Sequence, residues 1–308
     1  MKIAVPDKIS PSYFIAEAAV ELGFFQAEGL DVSLELVYPV DKAYAALRDG
    51  AIDFVGGAAH AVPSAFPGFK GAKLIAAQAQ GMYWFLVMRA DIGAKRGDLT
   101  IVKGRTIGAA PWVNTGLRGL LLAAGIDPER DNVNIAPVPG LIGDSVPNFG
   151  VMASRALQDG KLDGFWANGM GAEVAVRGGY GTVVADVRRG DGPKPCFNYT
   201  CPAITASDAL IARSPQTVAA AVRAIVKTQA ALKADVNRAG EVGRRLFPPM
   251  EAGLITELVR RDLPYYDASL SPDFIAGMTA FLRGQGIIEQ DAPYEAVVAA
   301  QFAPLWKS

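Results

Sequence analysis

Apolar positions along the chain recur with two periods that take turns. Short runs such as Ile3-Ala4-Val5 are followed by longer segments, such as Pro11 to Leu22, in which apolar residues return every three or four positions. That alternation predicts strands joined by helical crossovers, an α/β fold. In the first ninety residues it predicts a helix over 11–22, with Ser10 and Pro11 marking its start and Gly23 its end. It also predicts a strand at 31–37, a helix over 41–48 closed by Gly50, and strands at 52–55, 73–77 and 84–88. Beyond Pro215 the pattern changes to helical periodicity at 218–236, 241–246, 254–261, 272–284 and 293–302. No strong strand follows Ile211, which predicts helices covering a sheet formed earlier.

A repeat runs through this pattern. Ala43-x-x-Ala46-Leu47-x-Asp49-Gly50-x-Ile52-Asp53 returns as Ala153-x-x-Ala156-Leu157-x-Asp159-Gly160-x-Leu162-Asp163, an offset of 153 − 43 = 110 residues. Each copy reads as a helix with its Ala and Leu toward a sheet, a glycine able to end it in the left-handed conformation, and a strand entered through Asp. Ile3-Ala4-Val5-Pro6 and Ile107-Gly108-Ala109-Ala110-Pro111 form a second echo. Two echoes in the same order predict two similar lobes.

Composition narrows the possible functions. The chain has 308 residues, 51% of them hydrophobic and 20% charged, which suits packed domains and not disorder. Thirty Lys and Arg against 31 Asp and Glu leave no net field to hold a polyanion, so nucleic acid is not an expected partner. No apolar run reaches the roughly 18 to 20 residues needed to cross a bilayer. Pro6, Asp7 and Lys8 interrupt the first apolar run, so no export signal is visible. Two cysteines, Cys196 and Cys201, form neither a disulfide scaffold nor a CxxC pattern and read as ordinary thiols. A single histidine, His60, excludes a multi-histidine metal site, and no phosphate loop, dinucleotide fingerprint or hydrolase elbow occurs. No cofactor is expected. The glycine-rich stretch 164–171 lacks fingerprint spacing and predicts close backbone approach.

Several stretches resemble a known family. These are Tyr13-Phe14-Ile15-Ala16, Gly23-Phe24-Phe25-x-x-Glu28-Gly29-Leu30-Asp31-Val32, Ala46-Leu47-x-x-Gly50-x-Ile52-Asp53-Phe54-Val55, Lys103-Gly104-Arg105-Thr106-Ile107-Gly108 and Leu121-x-x-Ala124-Gly125-Ile126-Asp127-Pro128. In order and spacing they are similar to the periplasmic-type substrate-binding proteins of ABC importers for taurine, alkanesulfonates, nitrate and thiamine-pyrimidine precursors. The resemblance implies a two-lobed periplasmic-binding-protein-like (type II) fold hinged by two crossing strands. Lobe one would hold residues 1–89 plus 206–308 and lobe two residues 90–205. It further implies a monomer that hands a small organic anion to a membrane permease. Its place would be the periplasm, after removal of a leader; the alternative is the cytoplasm, because no signal peptide is visible.

In open parallel sheets ligands collect beyond the carboxyl ends of strands. The loops to search are therefore 7–13, 56–60, 78–84, 111–118, 139–145 and 166–171. Asn114, Thr115 and Arg118, at the predicted start of a helix, are expected to hold an acid group, with Gly116 beside them in the expected ligand set. Trp84, Trp112, Trp166 and Tyr83 are expected to sandwich a flat body, favouring an aromatic or heteroaromatic carboxylate or sulfonate. Ser10, Tyr13, Gly57, His60, Gln80 and Asn168 complete the expected ligand set, His60 bringing titration near pH 6 to 7. An alternative is a cytosolic enzyme on this fold, a decarboxylase, lyase or pyrimidine synthase, using His60 for acid–base work. Against the synthase, which the family includes, Gly56 and Gly57 stand where a cofactor-bonding Lys is expected, and a cysteine cluster is reduced to Cys196 and Cys201.

Overall fold

The computed structural model describes residues 1–140 and 148–307. From the first residue the chain builds one half-sheet: β1 (Lys2–Val5), α1 (Phe14–Glu21), α2 (Phe24–Ala27), β2 (Ser33–Leu36), α3 (Val40–Arg48), β3 (Phe54–Ala58) and β4 (Ala72–Ala77). It then crosses and builds a second: β5 (Phe85–Arg89), β6 (Thr106–Ala109), α4 (Val113–Ala123), β7 (Asn134–Ala136), α5 (Phe149–Gln158), β8 (Gly164–Ala167), α6 (Gly169–Arg177) and β9 (Gly181–Asp186). After crossing back it adds β10 (Pro202–Ser207) to the first sheet. The helices α7 (Asp208–Arg213), α8 (Pro215–Ala234), α9 (Arg238–Leu246), α10 (Pro249–Asp262), α11 (Pro272–Gly284) and α12 (Tyr294–Val297) follow.

The two sheets have the same plan. Their orders are β2-β1-β3-β10-β4 and β7-β6-β8-β5-β9. In each, four of the five strands run parallel and the fourth in order, β10 or β5, runs antiparallel between its neighbours and comes directly from the other lobe. This is the two-lobed periplasmic-binding-protein fold, and each lobe donates a strand to its neighbour. The exchange moves the lobe limits read from sequence. Phe85–Arg89, placed in lobe one, pairs with β8 and β9 of the second sheet. Pro202–Thr205, placed in lobe two, pairs with β3 and β4 of the first. The chain changes sheets across 78–84 and 187–201.

The 110-residue echo is a repeated hydrogen-bonding unit. Gly50 and Gly160 both take positive φ, +74° and +69°, where an added Cβ is disfavoured. Gly50 N–H donates to Leu47 and Ala51 N–H to Ala46, while Gly160 and Lys161 donate to Leu157 and Ala156. Asp53 then pins the neighbouring strand: its N–H donates to Lys2 O, and its carboxylate accepts from Lys2 N at 2.8 Å. Asp163 does the same to Thr106, at 2.9 Å. The repeated order of residue types thus sets both the helix stop and the register of the next strand.

Two local expectations differ. The first helix begins at Phe14, not at Pro11, because Ser10 Oγ accepts from Ser12 N within a turn and leaves 10–13 as loop. At the carboxyl end, the helix expected over 293–302 stops after one turn. Val298 there bridges to Leu74 at the edge of the first sheet, and 3-10 turns follow over Ala300–Lys307. Cys196 and Cys201 are buried and unbridged.

Candidate functional site

Between the sheets lies a cavity whose walls follow the carboxyl ends of parallel strands. The loop after β1 supplies Pro6, Asp7, Ser10, Ser12 and Tyr13, and the loop after β2 supplies Tyr38 and Val40. From lobe two come Ala110, Pro111 and Val113 after β6, Phe149 at the start of α5, and Ala167 and Asn168 at the end of β8. Trp84, on the crossing, closes one side. The free volume is about 40 Å³, room for a few waters, so the lobes are drawn together here.

Direct bonds hold them. Asn168 Nδ2 donates to Asp7 Oδ2 at 2.6 Å, linking the two lobes inside the cavity. Asn168 Oδ1 accepts from Met170 and Gly171 N–H and so caps α6, which fixes the amide's orientation. Asp7 Oδ1 accepts from Ile9 N at 3.2 Å. Burial without a neighbouring cation pushes the Asp7 carboxyl up to about 8, although the bonds from Ile9 and Asn168 pull the other way. Tyr13 and Tyr83 share a hydroxyl bond of 2.9 Å, and Tyr38 stacks on Phe149 with ring centroids 6.4 Å apart.

A second interlobe contact centres on His60, behind Trp84. Its Nε2 lies 2.9 Å from Trp112 O and 3.0 Å from Thr115 Oγ1, and its Nδ1 lies 2.9 Å from Thr200 Oγ1. Trp112 O can only accept, so Nε2 carries the proton and Nδ1 accepts from the Thr200 hydroxyl. The ring meets Trp84 edge to face at 5.7 Å. Complete burial lowers its pKa to about 4, so the titration near pH 6 to 7 expected from sequence is displaced downward.

Of the ligand set expected from sequence, Ser10, Tyr13, Trp84 and Asn168 line the cavity. Tyr83 lies behind Tyr13, and Trp166 is buried on the far side of Trp84 with centroids 6.2 Å apart. His60, Trp112 and Thr115 form the contact just described. Gly116 is buried so tightly that a Cβ there would come within 2.8 Å of Trp84, and Gly57 lies inside β3, hemmed by Tyr44, Val55 and Val40. Gln80 turns away and donates to Asp267 O and Ser269 O. Asn114 and Arg118 are exposed, with Arg118 3.9 Å from Glu129. The acid-binding group expected at 114–118 is therefore not assembled at the cavity. The helix turns Arg118 outward, while its start contributes only Val113. Sequence reading placed Asp7 and Ser12 in a loop to search without naming them as ligand residues, and it missed Tyr38, Val40 and Phe149. The signal for Tyr38 and Val40 was present, since β2 runs parallel to β1 and its following loop opens on the same side. Of the expected loop 139–145, residues 141–145 lie outside the described residues. No cluster of three or more His, Cys, Asp or Glu able to hold a metal occurs among the described residues.

The profile of the family described as NMT1/THI5 like matches residues 11–239. The chain belongs to that family. As an NMT1/THI5-like protein it is similar, at 23% identity over 97% of its length and 84% of the relative's, to the riboflavin-binding protein RibY of Chloroflexus aurantiacus. Its fold superposes on that of a Bordetella bronchiseptica RB50 protein with a TM-score of 0.77 at 21% identity, over 98% of this chain and 95% of that one. It also matches a putative periplasmic sulfonate-binding protein SsuA of Methylobacillus flagellatus, with a TM-score of 0.69 at 16% identity over 100% and 93%. The desulfurization enzyme DSZB shares the fold too, with a TM-score of 0.64 at 16% identity over 98% and 97%.

Proposed function

We propose that this protein is the solute-binding component of an ABC importer: two lobes close on a small organic molecule and present it to a membrane permease from the periplasmic side. The observation that carries this reading is the cavity itself, built from the carboxyl-end loops of both sheets and bridged by Asp7 and Asn168. Such a bridge forms only when the lobes meet, which is how ligand binding and closure become one equilibrium. Relatives named for riboflavin and sulfonate binding agree with that role.

The ligand we infer has a flat aromatic or heteroaromatic body, received by Trp84 and by the stacked Tyr38 and Phe149. The sequence points to a carboxylate or sulfonate, as does the sulfonate-binding neighbour. With Arg118 turned outward, an acid group would rely on the first turn of α4 at Val113. An enzyme reading built on His60 gains nothing from the geometry, because both ring nitrogens are bonded to protein and the ring is not part of the cavity wall. The deciding experiment is a thermal-shift screen with riboflavin, pyrimidines, aromatic carboxylates and sulfonates. A true ligand stabilises by about 2.7 kcal/mol at 100 times its Kd and is recovered unchanged. Consumption of the hit, abolished by His60→Ala with binding retained, would refute the transport role in favour of catalysis.

A further inference from the structure

The charge lining the cavity runs against the anion expected from sequence. No Lys or Arg lines it among the described residues, and the segment 141–147, Leu-Ile-Gly-Asp-Ser-Val-Pro, contains none. Among the described residues the one ionisable carboxyl in the wall is Asp7, which is 6% exposed and has no cation partner among them. Beside it Ser12 is 5% exposed, and its Oγ is buried with no hydrogen-bond partner. A buried hydroxyl left unpaired in a native wall calls for an explanation, and its place on this cavity points to a polar group of the guest.

The guanidinium of Arg261 is the rival feature. Its Nε and Nη2 are buried without partners, and it lies 4.9 Å over the Phe85 ring. Its Nη2 would come within 2.7 Å of a Cβ on Gly169, so it sits against the start of α6 and outside the cavity wall.

We propose that Asp7 and Ser12 determine specificity in this cleft by accepting N–H donors, so that the site takes an aromatic amide or amidinium and rejects the corresponding anion. The inference rests on the ligand-binding reading of the cleft and deepens it. With its proton held at neutral pH, Asp7 offers an anion only a neutral hydrogen bond, no cation of the described wall compensates the buried charge, and burying it costs more than such bonds return, whereas an amidinium displaces the Asp7 proton and pairs with the carboxylate. An N–H group meets acceptor oxygens on Asp7 and Ser12 while its ring lies along the aromatic walls. The shared chemistry is N–H donation, and it has two sources, a neutral amide or a cationic amidinium.

Four probes of nearly equal shape separate the cases: benzamide, benzamidinium, benzoate and N,N-dimethylbenzamide, each titrated into the full chain with tryptophan fluorescence and calorimetry as readouts. Benzamide or benzamidinium is expected to bind at least about tenfold more tightly than benzoate and than the dimethyl amide. Asp7→Leu should erase that preference. Asp7→Asn, close in shape and therefore expected to fold, should keep benzamide binding and weaken benzamidinium. Ser12→Ala should weaken both donors several-fold. Benzoate binding as tightly as the two donors, with Arg261→Gln removing it, overturns the inference while leaving the cleft a ligand site. An order of affinities unchanged in Asp7→Leu, or no saturable binding by either donor, also overturns it. Loss of response to every probe and to the wider screen as well removes the binding reading itself.

Discussion

Two of the buried titratable groups at the lobe interface, His60 and Asp7, make opposite demands on protons. The unfolded His60 takes up a proton near pH 6.5, whereas the folded ring resists it until about pH 4, because charging it means burying a cation among Trp84, Trp112 and Phe281. Its contribution to stability is therefore complete above pH 6.5 and is lost as pH falls toward 4, on the order of 3 kcal/mol. Asp7 behaves conversely. The folded carboxyl holds its proton up to about pH 8 and the unfolded one releases it near 3.8, so stability declines as pH rises through that window. Urea melts between pH 4.5 and 8.5 should show the acid-side loss flattened in His60→Gln and the alkaline-side decline flattened in Asp7→Asn. Profiles that run parallel to the parent's in both variants would show that neither group carries the pH dependence assigned to it.

At the scale of elements, close approach between helices is set by glycine. α5 and α6 cross where a Cβ on Gly171 would lie 2.3 Å from Gly150 O, a backbone atom that cannot swing aside. Gly171→Ala should therefore cost about 1 to 3 kcal/mol or more, read as a lowered urea midpoint. Gly253→Ala on α10, where nothing lies within 4 Å, should be neutral or slightly stabilising. Equal effects at the two sites would contradict the packing argument. Contacts of this kind also explain what the sequence made legible. The glycine-rich stretch 164–171 announced close backbone approach, and the Asp-Gly-x-hydrophobic-Asp repeat announced two equivalent strand entries, because both signals act through neighbours a few residues away. Strand exchange between lobes was not legible in that way. Phe85–Arg89 and Pro202–Ser207 look like any buried strand, and only long-range pairing decides which sheet receives them. The site was partly legible for the same reason. Loops after strands can be located from periodicity, which found Ser10, Tyr13, Trp84 and Asn168. Whether Arg118 faces the cleft or solvent depends on the rotation of α4 against Trp84 and Phe281, which no local pattern records.

For the whole molecule, the lobes are held together by bonds of unequal worth. On the exposed flank, Arg177 of α6 pairs with Glu257 of α10 at 2.5 Å, but both side chains are at least half exposed, and such pairs contribute about 0 to 1 kcal/mol. Deeper in, Asp262 at the end of α10 receives Arg189 at 3.0 Å and Arg188 at 3.5 Å, and both Asp262 and Arg188 are almost fully buried. Arg188 also donates to Gln80 O at 2.7 Å and lies over the Tyr83 and Tyr265 rings, so the return crossing is fastened to the outgoing one and to lobe one. Removing the carboxylate leaves a buried guanidinium without its counter-charge, a loss of about 3 to 5 kcal/mol. Because Asp262 belongs to lobe one and Arg188–Arg189 follow the last strand of lobe two, that loss falls on the closed arrangement. Asp262→Ala should therefore expand the ligand-free protein in solution scattering and weaken any cleft ligand in proportion to the lost closed population, whereas Glu257→Gln should change neither. An Asp262→Ala protein that melts earlier yet keeps the parent's radius of gyration and affinity would show that this cluster stabilises the fold without governing closure.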